Sequence, residues 1–161
     1  MVSKLNEAIE LRRNGDLEKS NQYLLDLCKE YPDDPIVFYQ CAWSFDVLGK
    51  ETEAVPYYEK AIDSGLSGND LEGAYIGLGS TYRVLGEYEK SREVFLKGLG
   101  AFPENQALRV FYAMTLYNVN DHQQAMEILL TSLLETTTDP QVLNYSKAIS
   151  FYKDKLDRVW S

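Results

Sequence analysis

The sequence predicts an all-α fold: four helical hairpins stacked side by side, followed by one helix that caps the stack. Three observations predict it. A residue skeleton recurs about every 34 residues. Each copy carries small and large apolar residues at helical spacing. The copies start at helix caps and turn at Gly or Asn.

The recurrence is plainest between "GDLEKSNQYLLDLCKEYP", Gly15 to Pro32, and "GEYEKSREVFLKGLGAFP", Gly86 to Pro103. Gly, Glu-Lys-Ser and Pro coincide. A further copy, "GKETEAVPYYEKAIDSGL", starts at Gly49, and a fourth, "NDHQQAMEILLTSLLETT", at Asn120. Gly15 to Gly49 and Gly86 to Asn120 are each 34 residues, and Gly49 to Gly86 is 37. One three-residue insertion in a constant period accounts for all four. The units run over about 1–34, 35–68, 72–105 and 106–139, within a single domain.

In the first half of each unit a small residue stands at Ala8, Ala42, Gly79 and Ala113, with Leu11, Phe45, Tyr82 and Leu116 three residues on. In the second half the small residue is Ser20, Ala54, Ser91 or Ala125, followed four residues later by Leu24, Tyr58, Phe95 or Leu129. Spacings of three and four place each pair on one helical face. Small residues let two helices approach, and large ones fill the space beside them. The two helices of a unit join near Gly15, Gly49, Gly86 and Asn120, where Gly and Asn tolerate the left-handed conformation that ends a helix.

Asp34-Pro35 and Asp139-Pro140 place a capping carboxylate before a Pro at the first helical position. Asp70 is positioned to cap the third unit after the turn-rich "SGLSGND". Pro56 falls early in a helix, where a missing N–H costs little. Beyond Thr138, the residues Val142, Tyr145, Ile149, Tyr152, Leu156 and Val159 form one apolar stripe and predict a capping helix over about 140–159.

These residues resemble the tetratricopeptide repeat, whose pattern is W-x2-L-G-x2-Y, then A-x3-F, then P. The third unit reads Tyr75, Leu78, Gly79, Tyr82, then Ser91, Phe95 and Pro103. The first unit lacks the aromatic opening, and Leu66 and Thr137 stand where the second and fourth would carry Pro. The resemblance covers about residues 1–139. The stretch from "AVPYYEKAI" through "LGSTYRVLGEYEKS" is similar to small stand-alone bacterial proteins built from such repeats. The resemblance implies a right-handed superhelix with the first helix of each unit on the concave side.

Composition bounds the function. The chain of 161 residues has 45% hydrophobic and 25% charged residues, an ordinary globular balance. Its net charge of −9 opposes nucleic acid and anionic membrane, and no run of Lys or Arg offers a local exception. No stretch has the length and apolarity of a membrane span or signal core. Cys28 and Cys41 form no CxxC pair, so a reducing, cytoplasmic location is expected.

Reactive constellations are missing from the sequence. One histidine, His122, and two separated cysteines make no zinc set, and no calcium loop appears. "GLGSTY", Gly77 to Tyr82, lacks the last Gly of a dinucleotide loop and falls inside a helix, with Gly79 as its packing residue. No enzymatic activity, cofactor or metal is expected. Cys28 and Cys41 fall about equally far on either side of the turn at Asp34, which makes them candidate neighbours on consecutive helices.

Helical spacing within the resemblance names a groove. The first helices contribute Leu5, Ile9 and Arg12; Tyr39, Trp43 and Asp46; Ile76, Ser80 and Arg83; and Val110, Met114 and Tyr117. The last helix adds Asn144 and Phe151. Trp, Tyr, Arg and Met dominate binding hot spots. Some family members grip a C-terminal carboxylate with Lys and Asn. Leu5 and Ile9, and in the later unit Gly73 and Gly77, stand at those places here, so that clamp is absent. The expectation is a non-enzymatic scaffold that binds a peptide or protein segment in an apolar and aromatic groove. The alternative is a homodimer whose groove or C-terminal helix is buried by a second copy.

Overall fold

A computed structural model describes residues 1–161 and is helical throughout. Helices α1 (Val2–Arg13) and α2 (Leu17–Glu30) form the first hairpin, and α3 (Pro35–Asp46) and α4 (Glu51–Asp63) the second. Helices α5 (Gly68–Val84) and α6 (Tyr88–Ala101) form the third, and α7 (Gln106–Asn118) and α8 (His122–Thr136) the fourth. Two short helices follow, α9 (Pro140–Asn144) and α10 (Ser146–Tyr152).

All four hairpins turn through one geometry. Gly15, Gly49, Gly86 and Asn120 have φ of +88°, +67°, +78° and +63°. The next residue's N–H reaches back five residues: Asp16 to Leu11, Lys50 to Phe45, Glu87 to Tyr82 and Asp121 to Leu116, at 2.9–3.0 Å. The turn residue's own N–H reaches back three, at 3.0–3.1 Å. This pair of bonds satisfies carbonyls that the helix end would leave unmatched.

Successive first helices touch: α1 with α3, α3 with α5, and α5 with α7. Their partners α2, α4, α6 and α8 make no comparable contact with one another. The stack therefore curves with the first helices on the inside and the second helices fanned outside, a helical repeat superhelix.

The 71-residue offset between the first and third units extends to single bonds. Ser20 Oγ donates to the Ala8 carbonyl, and Ser91 Oγ to the Gly79 carbonyl, both at 2.7 Å. Each serine is fully buried, so the bond also satisfies a hydroxyl that water cannot reach. The apolar interior falls into two clusters, one spanning α1 to α5 and one spanning α6 to α8.

Asp34 accepts hydrogen bonds from Ile36 and Val37 N–H, and Asp139 from Gln141 and Val142 N–H. Asn105 and Asp121 cap α7 and α8 in the same way. Asp70 does not cap α5. That helix starts at Gly68, so Asp70 lies within its first turn, where a carboxylate still complements the helix dipole. The cause is an extra left-handed turn at Gly65, which ends α4 and lets α5 begin before the capping residue. Pro56 is the sixth residue of α4, further in than an early-turn tolerance covers, and it is exposed.

The C-terminal stripe departs from one helix over about 140–159. It breaks at Tyr145, where ψ is 10°, and its second half stops at Tyr152. Beyond that point Trp160 folds back onto Phe151 and Tyr152, at 5.7 and 6.2 Å between ring centres. Lys155 Nζ donates to the Phe151 carbonyl and Lys153 Nζ to Thr131 Oγ1. These local contacts hold the segment beside α8, and no residue after Thr138 is buried. Short helices depend on tertiary packing, and this stripe has little. Leu129 shows the consequence: it is 37% exposed, whereas Leu24, Tyr58 and Phe95 at the equivalent positions are 0%, 3% and 0% exposed.

Gly79 is held to its size by Phe95. A methyl group there would lie 2.5–2.8 Å from the Phe95 ring, while one at Gly100 of α6 would meet nothing within 4 Å. Urea unfolding is expected to show Gly79→Ala destabilised by about 1–3 kcal/mol. Gly100→Ala is expected to be neutral or more stable by up to about 1 kcal/mol, since it only restricts the unfolded chain.

Candidate functional site

The last turn of each first helix carries Arg12, Asp46, Arg83 or Tyr117 at one repeat position. The surroundings of Asp46 are the most elaborate. Between α3 and α5 lies a cavity of about 350 Å³ lined by Tyr39, Trp43, Asp46, Val47, Tyr58, Gly73, Ile76 and Gly77. The Tyr39 ring centre is 6.0 Å from that of Trp43 and 6.2 Å from that of Tyr58. Arg12 stacks over the Trp43 ring at 4.1 Å and donates from Nη2 to Gln40 Oε1 at 2.5 Å.

Two glycines make this geometry possible. A methyl group at Gly73 would lie 2.2 Å from Tyr39 Oη, and one at Gly77 would lie 2.4 Å from Tyr58 Oη. Both tyrosine tips press onto the bare backbone of α5. Tyr58 can then donate its hydroxyl to Asp46 Oδ2 at 2.5 Å. Thr81 Oγ1 lies 3.0 Å from Asp46 Oδ1 and 2.8 Å from the Gly77 carbonyl, so its single proton serves two acceptors. No Lys or Arg pairs with Asp46.

Burial pushes the Asp46 carboxyl above its ordinary range. The Tyr58 and Thr81 hydroxyls oppose that shift, and the Glu51 charge adds to it. Burial, with the Asp46 charge and hydrogen bond, pushes the Tyr58 phenol up. Burial lowers the Arg12 guanidinium.

A second cavity, of about 490 Å³, opens at the fourth unit. Arg83, Met114 and Tyr117 line it with His122, Ala125, Met126 and Leu129 among others. Arg83 Nε is buried there without a hydrogen-bond partner. His122 is exposed, with its ring 4.8 Å from Tyr117.

The structure thus gathers Tyr39, Trp43, Asp46 and Ile76 at one cavity, with Arg12 stacked on its tryptophan, and Arg83, Met114 and Tyr117 at the other. Ile9, Val110 and Phe151 line neither; Phe151 belongs to the C-terminal aromatic cluster. Tyr39, expected as an open contact, is buried and serves as a wall. Sequence reasoning missed Tyr58, Thr81, Gly73 and Gly77 as parts of the site. Tyr58 carried a signal: its hydroxyl stands where Leu24, Phe95 and Leu129 have none.

Cys28 is half-buried and Cys41 buried, and the two thiols interact. The neighbouring Cys41 thiol holds Cys28 below its ordinary range despite burial, helped by the Lys60 charge, and Cys28 together with burial pushes the Cys41 thiol up. No cluster of three or more His, Cys, Asp or Glu side chains is arranged to hold a metal ion, and no helix is long and apolar enough to cross a membrane.

Four matched hairpins, touching through their first helices, define a helical-repeat scaffold. The chain belongs to the tetratricopeptide repeat family: the family profile described as Tetratrico peptide repeat matches residues 35–156. Superkiller protein 3 of Saccharomyces cerevisiae is 27% identical over 142 residues, covering 73% of this chain and 10% of that protein. The chain therefore spans about a tenth of that relative's length. MamA residues 41–end from Desulfovibrio magneticus RS-1 superposes with a TM-score of 0.75 at 16% identity, covering 96% of this chain and 85% of that one. YrrB, described as a TPR protein with an unusual peptide-binding site, superposes with a TM-score of 0.71 at 16% identity, covering 95% and 80%. At such identities the structural likeness shows the fold.

Asp46 sets a pH dependence whose sign follows from its raised pKa. The folded site favours the neutral acid, so the stability this group contributes is complete below its ordinary value of 3.8 and is lost as pH rises through the folded value. Asp46→Asn cannot ionise. The stability of the wild type relative to Asp46→Asn, from urea midpoints over a pH series, is expected to fall as pH rises above 3.8. A relative gain by the wild type over that range would mean that the folded site prefers the carboxylate.

Proposed function

We propose that this chain is a non-enzymatic protein–protein interaction scaffold that holds a peptide or protein segment along the inner wall formed by α1, α3, α5 and α7. The observation that carries the reading is the Trp43 cavity. A tryptophan that stays 43% exposed on the inside of the curve, flanked by buried tyrosines and an unpaired carboxyl, is an anchor for a partner side chain. Ile9, Arg12, Ile76, Arg83, Val110, Met114 and Tyr117 extend the surface along the same helices, and Phe151 lies at its C-terminal end. The family and the description of YrrB support the reading, and the net charge of −9 favours a partner that is basic or apolar where it binds. The test is a quantitative pull-down from an extract of the source cells, comparing the wild type with Trp43→Ala combined with Tyr117→Ala. Specific partners are expected to drop at least tenfold in the double variant. Equal recovery would place the binding surface elsewhere.

The uncovered end of the fourth unit favours a second, compatible reading: self-association. Met126, Leu129 and Leu133 are exposed there; Leu24, Tyr58 and Phe95, the counterparts of Leu129, are buried in the earlier units. Light scattering is expected to give twice the chain mass for the wild type and the single chain mass for Leu129→Glu, with Trp43→Ala remaining dimeric. A monomeric wild type at high concentration would remove this reading and leave the groove untouched.

A further inference from the structure

The groove reading says that a segment binds; the cavity between α3 and α5 says something about its chemistry. Asp46 sits at the end of α3 with one oxygen held by Tyr58 and the other competing with the Gly77 carbonyl for the Thr81 proton. A carboxylate oxygen that shares its only donor is short of hydrogen bonds, and a half-buried carboxylate without a counter-charge is costly. Both nearby arginine positions leave it unpaired. Arg12 is engaged with Trp43 and Gln40, and Arg83 lines the other cavity. Beside the carboxyl, Trp43 carries Arg12 on its ring yet stays 43% exposed, and Val47, Ile76 and the glycine faces of α5 supply apolar sides.

This combination fits one kind of side chain. A long aliphatic stem covers the apolar walls and the exposed part of Trp43, and a carboxylate with spare acceptor capacity pairs with the cation at its tip. We infer that the cavity receives a lysine or arginine side chain of the bound segment, its stem on Trp43 and its cation on Asp46; this rests on the groove reading above. The partner supplies the counter-charge that the fold withholds. The acidic chain draws such a segment in, and the cavity fixes its register along the groove.

An array of random dodecapeptides of known sequence, probed with the fluorescently labelled chain, tests this. The wild type is expected to select peptides enriched in Lys or Arg at one position. Replacing that residue by norleucine is expected to weaken binding roughly tenfold to a hundredfold, the scale of a hydrogen bond to a charged group. Asp46→Asn is expected to lose the preference for the basic residue over norleucine while keeping preferences elsewhere in the peptide. Val47→Lys is the second variant. It keeps every hydrogen bond of Asp46 and places a competing ammonium at an exposed position on the cavity rim, so it too is expected to lose the basic preference. Circular dichroism confirms that each variant is folded. Selection of large apolar or acidic residues at the Trp43-dependent position would overturn the inference and leave the groove reading standing. Selection unaltered by Trp43→Ala, or no selection at all, would overturn both.

Discussion

A helical hairpin of about 34 residues buries one face of each helix against its partner and leaves a second apolar face open. That open face must be covered, and in a repeat stack the cover is the first helix of the next unit. Leu24, Tyr58 and Phe95 are sealed in this way. Gly79 cannot grow for a reason inside its own hairpin: it faces the Phe95 ring across the seam between α5 and α6. Nearest-neighbour coverage sets the order of the helices, the touching of the first helices and the curvature that creates an inner wall.

Where coverage depends on local spacing, the sequence was a sufficient guide. The four turns carry their conformation in a single Gly or Asn, and the small residues at Ala8, Ala42, Gly79 and Ala113 mark the close approaches. Asp34 and Asp139 cap the helices they precede. Legibility ended where the outcome depended on what a segment packs against. The stripe from Val142 to Val159 has helical period, but period does not say whether a groove awaits it. Trp160 found Phe151 and Tyr152 instead, and the segment folded back. At α5 the difficulty was competition between two signals. Gly65 ended one helix early enough for the next to begin at Gly68, and Asp70 was overtaken.

The candidate site was half visible for a related reason. Trp43, Asp46 and Arg12 follow from their register on the first helices. Tyr58 lies on a second helix, where register alone assigns packing, and Thr81 and Gly77 come from the next unit. A site built across a seam needs residues that are distant in the chain, and a single unit cannot announce them. Tyr39 shows the converse: its register is that of a groove residue, yet Gly73 lets its ring sink between helices until almost none of it reaches solvent.

The repeat position at the end of the first helix explains how such a scaffold carries specificity. Ala8, Ala42, Gly79 and Ala113 stay small because two helices meet there. Four residues further along, the position holds Arg12, Asp46, Arg83 and Tyr117, three residue types of different charge and shape, because the seams do not constrain it in the same way. Recognition chemistry can therefore change from unit to unit without disturbing coverage. Asp46 goes further than its counterparts. Its ionisation opposes burial, and the hydroxyls of Tyr58 and Thr81 only partly offset that cost. The cation proposed for this cavity would stabilise that carboxylate. The free protein keeps a carboxyl without a counter-charge at the seam where α3 and α5 meet.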